Sequence, residues 1–186
     1  MEENRSERSA NEGDPKVTAR PPRRVVTGHD GSGASIVLSD GPTPRSHDMG
    51  VAVFHEVWNT RAVPASISAT EPEPTERPLV TPPDPGGTII RYTDIKPGQS
   101  SPMHRTESVD YGIVLEGEVY LELGGGGEVL LRPGDIVIQR GTDHVWANRT
   151  ESTARMAFIL VDGKFTPELK STIGDTELYD QALDAT

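Results

Sequence analysis

The chain has 186 residues, a net charge of −11, 19 Gly, 16 Pro and no Cys. That length holds one ordinary domain with tails, and a composition so rich in turn formers favours strands over long helices. The missing thiols exclude disulfides and thiolate ligands, the acidity argues against a nucleic-acid partner, and no run approaches the roughly 18 apolar residues of a membrane span.

Residues 1–22 are polar and charged and end in Arg20-Pro21-Pro22, with almost nothing to bury, so a flexible arm is expected. The start MEENRSERSANEGDPK lacks the apolar core of a signal peptide, and a cytoplasmic protein is expected. Two β-prone runs, residues 23–27 and 35–39, flank the turn-rich stretch 28–33 and predict a hairpin. That glycine-rich turn lacks the spacing, following helix and Lys of a phosphate loop. A third strand is predicted over 51–58. Residues 62–87 carry seven Pro and cannot sustain a sheet ladder, so they read as a long loop, a candidate lid over a site.

From Thr88 onward strand signals follow in quick succession, at 88–92, 111–115, 118–123, 128–131, 135–139, 144–148 and 155–161, spacing that points to a sandwich or barrel. Within Glu118-Val119-Tyr120-Leu121-Glu122-Leu123 apolar residues alternate with polar or amphipathic ones, as in a strand with one buried face, and the four glycines 124–127 close a hairpin. The domain proper is placed at 23–162. The tail, 163–186, carries a predicted short helix around 176–183.

Two segments carry candidate chemistry. The first runs Gly98-Gln-Ser-Ser-Pro-Met-His104-Arg-Thr106-Glu-Ser-Val-Asp110, then six residues to Gly117. It resembles the first motif of the cupin family, with Asp110 where that motif has Glu and Thr106 where it has a second His. The second, Arg132-Pro133-Gly134-Asp135 through Gln139-Arg140-Gly141 to His144-Val-Trp146-Ala-Asn148, is similar to the second cupin motif, one residue short before the His. The resemblance implies an all-β jelly-roll barrel with added N-terminal strands, a ligand site among inward-facing side chains, and a homodimer.

Imidazole and carboxylate suit Fe, Mn, Ni, Co or Zn, so His104, Asp110 and His144 are the expected ligands of a divalent transition metal and the expected catalytic residues, with Tyr111 beside them. A hydroxyl at Thr106 is a poor replacement for an imidazole, and the same two histidines can work as acid and base without metal. Trp146, Gln139, Arg140 and Thr106 are candidate substrate contacts, Arg140 as a clamp for a carboxylate. Glu107, at odd spacing from His104, is expected to face outward. His29, His47 and His55 lie outside both motifs and read as surface or structural residues.

The resulting expectation is a metal-dependent lyase or isomerase acting on a small oxygenated molecule, carboxylate or polyketide-like, by dehydration, decarboxylation or isomerisation. An Fe(II) dioxygenase using the same ligands and a non-catalytic small-molecule binder are the alternatives.

Overall fold

The computed structural model describes residues 20–174. In chain order these form β1 (Arg23–His29), β2 (Ser35–Pro42), β3 (Arg45–Asp48), β4 (Ala52–Thr60), β5 (Thr88–Ile95), β6 (Ser108–Glu116), β7 (Val119–Leu123), β8 (Glu128–Leu131), β9 (Ile136–Arg140), β10 (His144–Ala147), β11 (Ala154–Asp162) and α1 (Pro167–Ile173). Most of the expected arm and the helix expected at 176–183 lie outside the described residues.

A six-stranded sheet in the order β3-β4-β5-β11-β6-β9 faces a three-stranded sheet in the order β10-β7-β8, all pairs antiparallel. Between them lies one apolar core that includes Ile89, Ile95, Val114, Val119, Leu121, Leu131, Trp146, Met156, Phe158 and Leu160. β11 pairs with β5 on one edge and β6 on the other and is buried through most of its length. A central strand of this kind needs apolar side chains on both faces, which is why ARMAFILVD reads as a run rather than an alternation. β1 and β2 pair only with each other, while β3, which has no counterpart among the strands predicted from sequence, adds an edge to the large sheet beside β4.

The first-motif segment runs beside β10 instead of forming a regular strand. Ser101 N–H donates to the Trp146 carbonyl at 3.0 Å, and Asn148 N–H to that of Gln99 at 2.9 Å. The Asn148 side chain then closes this end: its amide donates to the Ile95 and Ser152 carbonyls at 3.0 and 2.7 Å, and its oxygen accepts from the Thr150 amide at 3.0 Å. Gly117, between β6 and β7, has φ +75°, and a Cβ there would stand 2.9 Å from Ala154 Cα, so both conformation and the close passage of β11 require glycine.

Away from the cavity a polar network ties four strands together. Arg155 Nε and Nη2 donate to the two oxygens of Asp94 at 2.6 Å each, and Nη2 also reaches the Arg20 carbonyl at 2.7 Å. His55 Nε2 lies 3.0 Å from Asp94 Oδ2 and its Nδ1 2.7 Å from Ser46 Oγ. Although burial pushes the Asp94 carboxyl up, Arg155 and His55 hold it below the usual carboxylate range. His55 is thus a buried structural residue.

Candidate functional site

A cavity of about 300 Å³ opens into the barrel between the two sheets. Its walls are largely apolar, from Met49, Val51, Phe54, Ile95, Trp146, Phe158 and Leu160, and its polar groups are His104, His144, Thr106, Asp110, Arg91, Thr93, Thr81 and Ser101. A concave, mostly apolar site with a few converging polar groups is the usual form of a small-molecule site.

Backbone pairing brings the two histidines together. His104 and His144 exchange both N–H···O=C bonds, each 3.0 Å, and their rings stand 4.2 Å apart between centroids with planes at 49°. Each Nδ1 lies 2.9 Å from the carbonyl oxygen two residues upstream, Pro102 for His104 and Thr142 for His144. A carbonyl can only accept, so Nδ1 carries the hydrogen in both rings, and in the neutral imidazole Nε2 carries the lone pair. Burial lowers both: His104 falls below the ordinary histidine value, and His144, 2% exposed and beside His104, falls to about 4. Both rings are neutral near pH 7, with Nε2 able to accept a proton or bind a metal.

Asp110 faces the same cavity from β6, where burial alternates so that Ser108, Asp110 and Gly112 point in while Tyr111 points out. It is 6% exposed, and burial pushes its carboxyl up to about 6 against the pull of Ser108 and Arg91. Among the described residues its Oδ1 has no hydrogen-bond partner. Thr106 lines the cavity and accepts from Ser108 Oγ at 2.9 Å. Trp146 serves both core and cavity, packing edge-on against His144 at 5.3 Å and Phe158 at 5.2 Å.

The other expected site residues fall outside the cavity walls. Tyr111 is 41% exposed on the outer face of β6, because the strand begins at Ser108 and strand parity sends residue 111 outward. Gln139 is buried and uses its side-chain oxygen to accept from the Arg140 and Thr142 amides at 3.0 and 3.3 Å and from the Thr142 hydroxyl, so it shapes the short turn ahead of His144. Arg140 is exposed and does not line the cavity, which removes the expected carboxylate clamp. Arg105 is buried against Asp143 at 2.5 Å. Glu107 holds the C-terminal segment, accepting from the Phe165 amide at 2.8 Å.

Sequence reasoning missed Arg91 and Thr81. Arg91 of β5 is buried, with Nε on the Glu56 carboxylate, Nη2 donating to the Val80 carbonyl at 2.7 Å, and its guanidinium carbon 4.9 Å from the Phe54 ring centre. Thr81 comes from the Pro-rich segment, which reaches the cavity wall at this residue and is anchored elsewhere by buried Thr75 and Leu79 and by the Arg24–Glu73 pair at 2.7 Å.

The two imidazoles present the donor chemistry of a metal site, since a ligating histidine typically gives its other N–H to a carbonyl or carboxylate. A third donor is not gathered with them: among the described residues no group of three or more His, Asp or Glu side chains is placed to hold a metal ion. The expected three-ligand centre of His104, Asp110 and His144 is therefore not assembled in this arrangement, and Thr106 offers a hydroxyl where the motif has a further imidazole. Among the described residues, no helix is long and apolar enough to cross a membrane.

Comparison with known proteins agrees with the barrel. A family model described as a cupin domain matches residues 91–161. The chain is 38% identical over 164 residues to phomopsin biosynthesis cluster protein C' of Diaporthe leptostromiformis, covering 84% of this chain and 86% of that protein. It is 35% identical over 149 residues to the cupin-domain-containing oxidoreductase fogC of Aspergillus ruber, covering 75% of this chain and 71% of that one. It is also 35% identical over 153 residues to the cupin-domain-containing oxidoreductase srdB of Neurospora crassa, with coverage of 81% and 78%. With both motif segments walling one cavity between antiparallel sheets, and relatives of this identity spanning most of its length, the chain belongs to the cupin superfamily.

Proposed function

We propose that this chain is an enzyme that moves protons on a small oxygenated organic molecule held in the barrel cavity, a reaction of the lyase or isomerase kind such as dehydration or isomerisation. The observation that carries this reading is the pair of Nδ1–H···O=C bonds, which leaves Nε2 of His104 and of His144 as the lone-pair nitrogen beside a cavity that also holds a carboxyl raised to about 6. With His144 lowered to about 4 and Asp110 raised to about 6, the imidazole is neutral and the carboxyl protonated between those two pH values, a base and an acid set by their surroundings. In a dehydration, Nε2 takes the proton from the carbon next to a carbonyl. The electron pair forms the new C=C bond and expels the neighbouring hydroxyl, which leaves as water with the Asp110 proton. Solvent exchange then returns the imidazolium proton to Asp110.

A second reading, a metal-dependent oxidoreductase or Fe(II) dioxygenase, is favoured by the names of the Aspergillus ruber and Neurospora crassa relatives and by the carbonyl-anchored imidazoles. On that reading His104 and His144 would hold the ion, with the substrate completing its ligands, and the ion would supply Lewis-acid or redox chemistry. A homodimer is part of the proposal; the solvent-facing Val25, Val37 and Leu38 of the β1–β2 hairpin support it, and light scattering in solution tests it.

The deciding experiment takes ligands found by a thermal-shift screen and follows them by proton NMR with the protein in heavy water, with and without chelator and with added Fe(II). Deuterium entering the carbon next to a carbonyl, insensitive to chelator and slowed about a hundredfold or more in His144→Gln and Asp110→Asn, is the expected result. Ligand that binds and comes back unchanged overturns the enzyme reading in favour of a binding module. Oxygen uptake that requires iron overturns the proton-transfer reading in favour of the oxidoreductase.

A further inference from the structure

Two residues of the cavity lining carry buried polar atoms that no group among the described residues pairs. Asp110 Oδ1 on β6 and Thr81 Oγ1 in the Pro-rich segment lack a hydrogen-bond partner among the described residues, and both residues are more than nine-tenths buried, at 6% and 9% exposure. Buried polar atoms are nearly always satisfied, and leaving one bare is costly, so two on residues that line one cavity mark where a ligand's own polar group belongs.

The charges around them limit what that group is. Among the described cavity-lining residues Arg91 is the sole guanidinium or ammonium, and it is already matched by the Glu56 carboxylate, the Val80 carbonyl and the face of Phe54. An incoming carboxylate would find no unmatched cation and would meet the bare oxygen of Asp110. The rest of the wall is hydrocarbon and aromatic, from Met49, Val51, Phe54, Ile95, Phe158 and Leu160.

We infer that the cavity takes an uncharged amphiphile: an apolar, ring-sized body against the aliphatic and aromatic wall, with a hydroxyl that donates to Asp110 Oδ1 and an oxygen that accepts from Thr81 Oγ1. Thr81 is thereby a specificity residue contributed by the Pro-rich segment, and the carboxylate substrates expected from the sequence are excluded. The inference rests on the proposed function only in its choice of cavity and deepens it by naming the substrate class.

Calorimetric titration with three probes of one skeleton tests it: 2-naphthol, 2-naphthoate and naphthalene. Expected is 2-naphthol binding roughly tenfold or more tighter than either of the others, one well-made hydrogen bond to a charged or buried partner being worth about that factor. Thr81→Val and Asp110→Leu, each checked for native circular dichroism, should each narrow the gap between naphthol and naphthalene. Naphthoate binding as tightly as naphthol, an unchanged gap in a folded Thr81→Val protein, or no binding by any probe overturns the inference. Because binding is read without turnover, its failure is separate from that of the proton-transfer reading, which the heavy-water experiment decides alone.

Discussion

The burial that holds His144 neutral down to about pH 4 also keeps Asp110 protonated up to about pH 6, so these two side chains on one cavity wall are displaced in opposite directions. Their linkage to folding is therefore opposite in sign. In the unfolded chain His144 gains a proton below about 6.5, which the native protein refuses until about 4, so its contribution to stability is full above 6.5 and is lost as the pH falls towards 4. Asp110 in the native protein gains its proton near 6, ahead of the unfolded chain near 3.8, so its burial penalty is relieved as the pH falls through that window.

Each displacement amounts to about 3 kcal/mol, and the two largely cancel in the wild-type protein. Relative to wild type, Asp110→Asn should be more stable at neutral pH and lose about 3 kcal/mol between pH 7 and 4, while His144→Gln should gain a similar amount as the pH falls. Urea unfolding across that range measures both. Parallel pH profiles for the two variants would contradict the opposed displacements.

Thr106 stands where the first cupin motif carries a second histidine. Thr106→His should raise affinity for Ni²⁺ or Zn²⁺ by roughly a factor of ten or more, since a third imidazole adds a ligand of the type these ions prefer. Calorimetric titration of metal into both proteins checks it. Equal affinity would mean that residue 106 does not address the same point as His104 and His144.

Arg155 neutralises Asp94 in the buried network that joins β3, β4, β5 and β11. Arg155→Ala leaves a buried carboxylate without its cation and should cost about 3–5 kcal/mol, whereas the paired replacement Arg155→Met with Asp94→Leu should recover much of that loss. Denaturant midpoints of the single and double variants measure the difference, and a single variant as stable as wild type would show that the network does not bear on folding.

Gly141 sits in the shortened turn ahead of His144 with φ +62°, and a Cβ there would run into the Phe165 ring. Gly141→Ala should cost about 1–2 kcal/mol for the left-handed backbone alone, more if Phe165 cannot move. The same change should shift the His144 ring resonances, because Gln139 and Thr142 hold that turn. Unperturbed His144 signals would separate the turn's geometry from that of the site.

Much of the barrel was legible without coordinates because its signals are local. The alternation in Glu118-Val119-Tyr120-Leu121-Glu122-Leu123, the glycine hairpin at 124–127 and the turn residues Pro133-Gly134-Asp135 act within a few residues of themselves. The same locality marked His104, His144 and Asp110 as cavity residues through the motif spacing. It misled at Tyr111, where starting β6 at Ser108 sets which side chains face inward.

The amino-acid sequence alone determined a cupin barrel with two histidines and a carboxylate at its mouth, because strand period, turn chemistry and motif spacing are properties of short stretches of chain. Only the tertiary structure decided what those groups can do. The carbonyls that set each imidazole's tautomer, the burial that moves His144 and Asp110 apart, the Glu56 that occupies Arg91, and the Thr81 that reaches the cavity from a Pro-rich segment all depend on which remote strands pack together. Desolvation and pairing belong to the packed surroundings of a side chain and leave no trace in its sequence neighbours.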